Sequence, residues 1–292
     1  MGNSVKALSQ DNPQMASKDN KLPKNSIPRT LSHYTTIPGL IGIVTSKCLW
    51  ASNASFLNDR TELLHGLNAA EKAIERLTST RAMNHWKDTL KQAIEKLEDG
   101  EMPDTFVTCF CRDDDNLSQW RGYGGSEQGV SITFDRKKLD ARLKNQKAIL
   151  YQVTYAKYST ASKLREDLKG ELAELAEIDD ILGEGTAEEK YRDVFKRLSG
   201  LLPKFKHLGF RDEREWRYVV QGTDIKLNFR ASRNRVVPYI HLGESEEPLP
   251  IISVRVGPGD DQALTAQSLR TFLSSQGYKD VKVKLSDVPF RT

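Results

Sequence analysis

Runs of alternating apolar and polar residues occur along most of the chain and are separated by stretches with helical spacing. Alternation with a period of two is typical of β-strands, whereas a period near 3.6 is typical of helices. The strand-like runs are 31–35, 48–52, 105–111, 129–134, 148–155, 215–221, 224–229, 235–240, 251–256 and 281–285. The helix-like runs are 38–45, 63–77, 86–97, 136–143 and 261–274, and Asp135 is expected to cap the start of the run 136–143. This order predicts an α+β fold with mixed or antiparallel central sheets and flanking helices.

The pattern also predicts how the chain is divided. Residues 1–28 are rich in Asn, Ser, Lys, Gln and Pro and have almost no apolar periodicity, so we expect a flexible tail there. Residues 29–292 are expected to form a single α+β domain. Within it, residues 160–202 are charged and favour helix, with a break at residues 183–185. We interpret that segment as a helical insertion outside the sheet.

Composition narrows the class of protein without naming a partner. The 44 Lys and Arg residues nearly balance the 40 Asp and Glu residues, and they are interspersed, which argues against a strongly basic nucleic-acid surface. No apolar run near the amino terminus approaches the roughly 20 residues of a membrane span, so no membrane partner is expected. Three cysteines, an odd number, fit a reducing compartment, and we predict a cytoplasmic protein.

Two polar segments early in the chain stand next to predicted strands. In the first strand, alternation places His33 and Thr35 on one face and Tyr34 on the other. A core histidine and a binding histidine are both consistent with that position. In the next segment, Trp50 and Ser52 share a strand, and the chain then reaches Asn58 and Asp59 before a helix, where helix capping and ligand binding are both consistent with the pattern.

Two later segments combine charged and aromatic side chains. Residues 116–125 contain Gln119, Trp120 and Arg121 followed by glycines, and we interpret them as a binding loop between two strands, although a buried tryptophan anchor explains Trp120 nearly as well. In the strand 215–221, Glu215 and Arg217 share a face, which is consistent with a functional carboxylate or with an ion pair.

Together these segments resemble the bacterial family known as domain of unknown function 2971, over roughly residues 30–292. The shared motifs are His33-Tyr34-Thr35, the segments 49–53 and 56–59, 108–111, 116–120, Gly129-Val130 before Phe134-Asp135, Glu215-Trp216-Arg217, and the closing segment from Ile251 through Gly257-Pro258 to 289–291.

That family's layout is similar to the ADP-ribosyltransferase fold. The resemblance implies a histidine on the first strand, an aromatic or hydroxyl residue on the second and a glutamate on a late strand, which meet around NAD. By motif these are His33, then Trp50 or Ser52, then Glu215. Cleavage of the nicotinamide–ribose bond passes through an oxocarbenium-like state that a carboxylate stabilises, so Glu215 and His33 are the expected catalytic residues.

The resemblance thus predicts an NAD-dependent ADP-ribosyltransferase or NAD glycohydrolase with NAD as its substrate. It also makes a role as a toxin or phage-defence effector plausible, with a protein or nucleic-acid target and an antitoxin or defence-system partner. The residues expected to bind NAD are His33, Tyr34, Thr35, Trp50, Ser52, Asn58, Arg60, Gln119, Trp120, Arg121 and Arg217.

Two alternatives remain open from the sequence. The first is a non-catalytic module that binds a nucleotide or a modified base through Gln119, Trp120 and Arg121. The second is a metal-dependent nuclease or hydrolase that uses His33 with Asp59 and Glu62, although no His and Asp cluster at short spacing supports it.

Overall fold

In a computed structural model, the chain forms a central β-sheet with helices on both faces. The structure describes residues 27–56, 60–79, 84–98, 105–123, 128–156, 160–182, 186–222, 225–232 and 234–289. The expected tail falls largely outside these residues. None of the described helices combines the length and the apolar character needed to cross a membrane.

The strands and helices follow the sequence pattern closely. The strands are β1 (Thr30–Thr36), β2 (Leu49–Asn53), β3 (Thr105–Cys111), β4 (Gly129–Asp135), β5 (Ile149–Gln152), β6 (Thr154–Ala156), β7 (Phe205–His207), β8 (Glu215–Gln221), β9 (Asn228–Ser232), β10 (Arg235–Leu242), β11 (Ile251–Val256) and β12 (Lys282–Leu285). The α-helices are α1 (Ile37–Ser46), α2 (Arg60–Thr78), α3 (Lys87–Glu98), α4 (Leu117–Tyr123), α5 (Arg136–Leu143), α6 (Thr160–Leu182), α7 (Ala187–Leu201) and α8 (Gln262–Ser275).

Several helices begin where a side chain satisfies the free backbone N–H groups of the first turn. Thr36 accepts a hydrogen bond from the Gly39 N–H at the start of α1, and Asp135 accepts one from the Lys138 N–H at the start of α5. The expected cap at Asp135 is therefore confirmed. Asn116 bonds the N–H groups of Ser118 and Gln119, which begins helix α4 in a segment expected to be a loop.

The main sheet contains ten strands of the described chain, in the order β12-β11-β4-β1-β3-β2-β10-β9, with β8 on β3 and β5 on β8. Its pairings are antiparallel except for the parallel pair β11–β12. The expected α+β class with a mostly antiparallel central sheet is thus confirmed. Strands β6 and β7 form a separate parallel pair.

The sheet separates two apolar cores. On one face, residues of β1, β4 and β11 pack against α1, α5 and α8. On the other face, Val107 of β3 and Val219 of β8 pack against α2, α3, α6 and α7. The expected insertion, residues 160–202, therefore covers one face of the sheet, because α6 and α7 present apolar residues such as Leu164 and Leu198 to it.

The sheet forks at β3, and this fork positions the site. Strand β8 pairs with β3 along its whole length, from Thr105 to Cys111. The opposite edge of β3 pairs with β2 only at Phe106 and Val107, and with β1 only at Cys111. Strands β1 and β2 consequently diverge, and residues 108–110 of β3 face the gap between them.

Candidate functional site

A cavity of about 850 Å³ opens in the gap between the diverging strands β1 and β2. Its walls come from β1, α1, β2, β3, α4, β8 and β9, so residues that are distant in sequence meet there. The described lining residues are His33, Tyr34, Thr35, Thr36, Pro38, Gly39, Ile43, Trp50, Ser52, Phe56, Val107, Thr108, Cys109, Phe110, Gln119, Arg121, Gly122, Tyr123, Arg217, Arg230, Ala231 and Ser232. This volume lies in the usual range for small-molecule sites.

His33 bridges the gap in the forked sheet. Its Nδ1 lies 2.8 Å from the carbonyl oxygen of Cys109, a group on the edge of β3 that faces no strand. A carbonyl oxygen only accepts, so Nδ1 carries the hydrogen and the neutral ring has its lone pair on Nε2. Burial lowers the pKa of His33 and the charge of Arg230 lowers it further, against the opposing effect of the Cys109 bond. The imidazole is therefore a neutral hydrogen-bond acceptor at neutral pH.

Trp50 forms an aromatic part of the wall on β2. Its indole N–H points to Ser46 Oγ at 3.4 Å, and its ring centre lies 5.0 Å from that of Tyr239. The ring also packs on helix α1 at Gly42, where a Cβ atom would lie only 2.4 Å from the Trp50 ring. Glycine at this position is thus required for the indole to lie where it does.

We expect Gly42→Ala to displace the Trp50 ring and to destabilise the protein by about 1–3 kcal/mol, the usual cost of overpacking. Gly170→Ala is a matched control, because Gly170 also lies in a helix and a Cβ there would meet nothing within 4 Å. That control should keep or raise stability, by up to about 1 kcal/mol. Urea unfolding monitored by tryptophan fluorescence measures both. Equal stabilities for the two variants would contradict the packing described here.

Helix α4 brings two of the three residues singled out from the sequence to the cavity. Gln119 lines the cavity and its amide donates to the Glu213 carbonyl at 3.1 Å, while Arg121 is exposed at the wall. Trp120 does not line the cavity. It is 4% exposed, its ring meets Tyr34 edge to face at 4.6 Å, and its N–H donates to Asp115 at 2.8 Å.

Tyr34 and Thr35 also line the cavity. The Tyr34 hydroxyl donates to the Asp113 carbonyl at 2.9 Å and accepts from the Asn116 N–H at 2.8 Å. These two bonds tie β1 to the segment that leads into α4. Burial raises the pKa of Tyr34, so its hydroxyl stays neutral.

Glu215 lies behind the cavity wall in a buried charge cluster. Both of its oxygens accept from Arg217, Oε1 from Nε at 2.9 Å and Oε2 from Nη2 at 2.8 Å, and Oε2 is also 3.2 Å from Lys206 Nζ. Lys206 makes a second ion pair, at 2.7 Å, with Glu213. Arg217 lines the cavity, whereas Glu215 is 1% exposed and is not among the described lining residues.

The cluster keeps Glu215 ionised. Burial alone would raise its pKa, but Arg217 and Lys206 outweigh burial and hold the pKa at about 2. Glu215 also lies close to the Cys109 thiol and to Tyr123, two groups that do line the cavity. The pKa of each of these groups is raised, mainly by burial and secondly by the negative charge of Glu215. One layer of side chains thus separates the carboxylate from the cavity.

Arg230 is a cavity residue that the sequence pattern did not reveal. The run 224–229 predicts a strand that ends before it, but β9 extends from Asn228 to Ser232 and pairs with β10. The polar positions Asn228, Arg230 and Ser232 alternate with Phe229 and Ala231. This alternation is the sequence pattern from which the position of Arg230 on one face of a strand could have been predicted.

The cavity wall is cationic. It contains Arg121, Arg217 and Arg230, and none of its described residues is an Asp or Glu. Arg217 is neutralised by Glu215, whereas neither Arg121 nor Arg230 forms an ion pair in the described part of the chain. Such a wall favours a ligand that carries negative charge.

Some expected site residues cannot be placed. Asn58 and Asp59 lie outside the described residues, and for Arg60 and Glu62 the structure describes the helix, α2, but not the side chains. Within the described residues, no group of three or more His, Cys, Asp or Glu side chains is arranged to hold a metal ion.

The fold and the site together define an α+β protein with a cationic cavity in a forked, mostly antiparallel sheet. A family model described as "Protein of unknown function (DUF2971)" matches residues 119–218, from Gln119 to Tyr218. This match supports the relation to that family, and the matched segment contains Arg121, Glu215 and Arg217 but not His33. No curated protein and no solved structure matches the chain.

Proposed function

We propose that the cavity binds a phosphate-bearing nucleotide, and that NAD is the ligand to test first. The observation that carries this proposal is the convergence of His33, Trp50, Ser52 and the wall arginines on one cavity, although they come from five separate elements. A neutral acceptor, an aromatic face, a hydroxyl and several guanidinium groups are the chemistry that binds ribose, a base ring and phosphates.

Each part of NAD has a candidate partner. The nicotinamide ring can stack on Trp50, a ribose hydroxyl can donate to Nε2 of His33, and the pyrophosphate can pair with arginine. This arrangement follows the order that the resemblance to ADP-ribosyltransferases implies, with a histidine on the first strand and an aromatic residue on the second. The similarity to that fold is part of the proposal.

A second candidate adds bond cleavage to binding. Nicotinamide would leave C1′ of the ribose with the bonding electrons, and water or a target nucleophile would add at C1′ and lose a proton. Glu215 lies behind Arg217, Cys109 and Tyr123, close enough for its charge to shift the pKa values of the last two. Its charge thus acts on groups of the cavity wall, which favours cleavage, whereas its burial and its ion pairs with Arg217 and Lys206 favour binding without turnover.

One experiment separates these functions. Calorimetric titration with NAD and ADP-ribose should give saturable binding with a dissociation constant between about 1 µM and 1 mM, the range in which enzymes commonly bind substrates. Trp50→Ala should weaken NAD binding more than ADP-ribose binding, because only NAD carries the nicotinamide ring that stacks on Trp50. Absence of NAD binding to the wild type would overturn NAD as the ligand.

Nicotinamide release, followed by liquid chromatography with NAD alone and with bacterial lysate as a source of targets, then tests cleavage. Release by the wild type and its loss in Glu215→Gln would establish the second candidate. NAD binding without release, in both proteins, would establish a binding module instead. A toxin or phage-defence role, with its target and antitoxin, remains a prediction that the release assay in lysate begins to test.

A further inference from the structure

The Arg230 side chain is held in the wall of the cavity with part of its hydrogen-bonding capacity unused. Its Nη2 donates to Ser52 Oγ at 3.0 Å. Its Nε is buried and has no hydrogen-bond partner in the described structure. Nε and Nη2 form one edge of the guanidinium, the edge that pairs with two oxygens of an oxyanion.

The Arg230 side chain is half-buried, and partial burial of a guanidinium without an anion is energetically unfavourable. Burial of a cation costs several kcal/mol unless charge and hydrogen bonds compensate for it. No Asp or Glu side chain among the described lining residues supplies that compensation. Burial lowers the pKa of Arg230, and the opposing electrostatic effect comes from Tyr239 rather than from a carboxylate. The arginine nevertheless stays protonated at neutral pH, because guanidinium groups do not deprotonate in proteins.

Ser52 adds a second donor at the same place. Its oxygen accepts the hydrogen bond from Arg230, so its own hydroxyl hydrogen is free to donate. A ligand oxygen that reaches the guanidinium next to Ser52 could therefore accept from both Arg230 and Ser52. Strand pairing fixes the two residues relative to each other, because Ser52 pairs with Tyr239 on β10 and Arg230 pairs with Val237 on the same strand.

We propose that Arg230 and Ser52 form an oxyanion subsite that binds a phosphate group of the ligand. The proposal rests on the proposed function, because it assigns the phosphate of the bound nucleotide to this part of the wall. A phosphate is favoured over a single carboxylate because Arg121 lines the same cavity without an ion pair to the described residues, and two guanidinium groups match a diphosphate better than one negative charge.

The test compares Arg230→Gln with Arg235→Gln, a matched control. Arg235 lies on the neighbouring strand β10, is exposed and does not line the cavity. Binding of NAD, inorganic pyrophosphate and nicotinamide riboside, which has no phosphate, is measured by calorimetry for both variants and for the wild type. Arg230→Gln should weaken NAD and pyrophosphate roughly 10- to 100-fold, the usual worth of hydrogen bonds to a charged group, and leave the riboside unchanged.

Ser52→Ala should produce a smaller loss of affinity for NAD and pyrophosphate, and Arg235→Gln should leave both affinities unchanged. Arg230→Gln should also melt at the same temperature as the wild type or higher, because it removes a half-buried charge that has no counterion among the described residues. A lower melting temperature combined with unchanged pyrophosphate affinity would assign Arg230 a purely structural role and overturn the subsite.

The ligand series separates failure of the subsite from failure of the proposed function. If the wild type binds NAD and Arg230→Gln binds it equally well, the subsite is overturned and the proposed function stands. If the wild type does not bind NAD but binds pyrophosphate in an Arg230-dependent manner, NAD is overturned and the phosphate subsite stands for another phosphorylated ligand. If neither is bound, both are overturned.

Discussion

Replacement of Arg217 by methionine is expected to lower the free energy of unfolding by about 3–5 kcal/mol at pH 7, because it leaves a buried carboxylate without its main partner. Arg217 and Glu215 are 2% and 1% exposed and are joined by two hydrogen bonds, and Arg217 also donates to the Pro203 carbonyl at 2.8 Å. Urea unfolding at pH 7 provides the measurement. A loss below about 1 kcal/mol would show that the pair is not formed as described.

Two controls identify the origin of that loss. Arg211→Met removes an exposed arginine whose ion pair with Asp212 spans 3.7 Å, and it should change stability by less than about 0.5 kcal/mol. The double variant Glu215→Gln/Arg217→Met removes both members of the buried pair. It should be more stable than Arg217→Met alone, because no unpaired carboxylate remains.

The pH dependence of stability follows from the lowered pKa of Glu215. Its folded pKa of about 2 lies below the ordinary value of 4.5, so its contribution is fully present above pH 4.5 and is lost as pH falls through 2. The shift corresponds to about 3 kcal/mol. In Arg217→Met the folded pKa rises, so the stability gap between variant and wild type should narrow between pH 5 and pH 2. A gap that stays constant over this range would exclude Glu215 as the titrating group.

Replacement of Trp120 by alanine should also cost about 3–5 kcal/mol, because the indole is buried rather than presented to a ligand. It packs against Tyr34, and a Cβ at Gly257 would lie 2.9 Å from its ring, so the fit is tight. Trp120→Phe keeps the aromatic packing but loses the bond to Asp115, so it should lose less than half of the free energy of unfolding that Trp120→Ala loses.

Measurement of NAD affinity in the same variants distinguishes an anchor from a stacking residue. At a temperature where both variants are folded, Trp120→Phe should bind NAD as the wild type does, whereas Trp50→Ala should bind it more weakly. The opposite order would restore the interpretation in which Trp120 stacks on a bound base. That interpretation is part of the first alternative from the sequence, a non-catalytic module that binds a nucleotide or a modified base through Gln119, Trp120 and Arg121.

Local sequence signals predicted most of the elements because each depends on neighbouring residues. Alternation predicted β3 and β8 with their observed bounds, and Asp135 marked the start of α5. The same logic failed at residues 117–123, where the neighbouring glycines favoured a loop. There Asn116 caps a short helix, and the packing of Trp120 against Tyr34 stabilises it.

The candidate site was predictable only in part. Sequence motifs identified His33, Trp50, Ser52, Gln119, Arg121 and Arg217, all of which line the cavity. Alternation within β8 also allowed the ion pair of Glu215 with Arg217, although it left open whether the carboxylate was free for function. The motifs did not indicate that Arg230 would join the wall, because that outcome depends on strand partners, which the alternation of a single strand does not encode.

The sequence by itself therefore determined most of the strands and helices and the α+β class, because alternation, helical spacing and capping act over a few residues. The tertiary structure decided where the site lies and what its charge is. Strands β1 and β2 diverge at β3, so the Cys109 carbonyl accepts a hydrogen bond from His33 instead of from a neighbouring strand. Arg230 of β9 lies in the cavity wall, which has no Asp or Glu among its described residues. These contacts join residues up to 178 positions apart, as in the Arg230–Ser52 bond, and only the folded sheet brings them together.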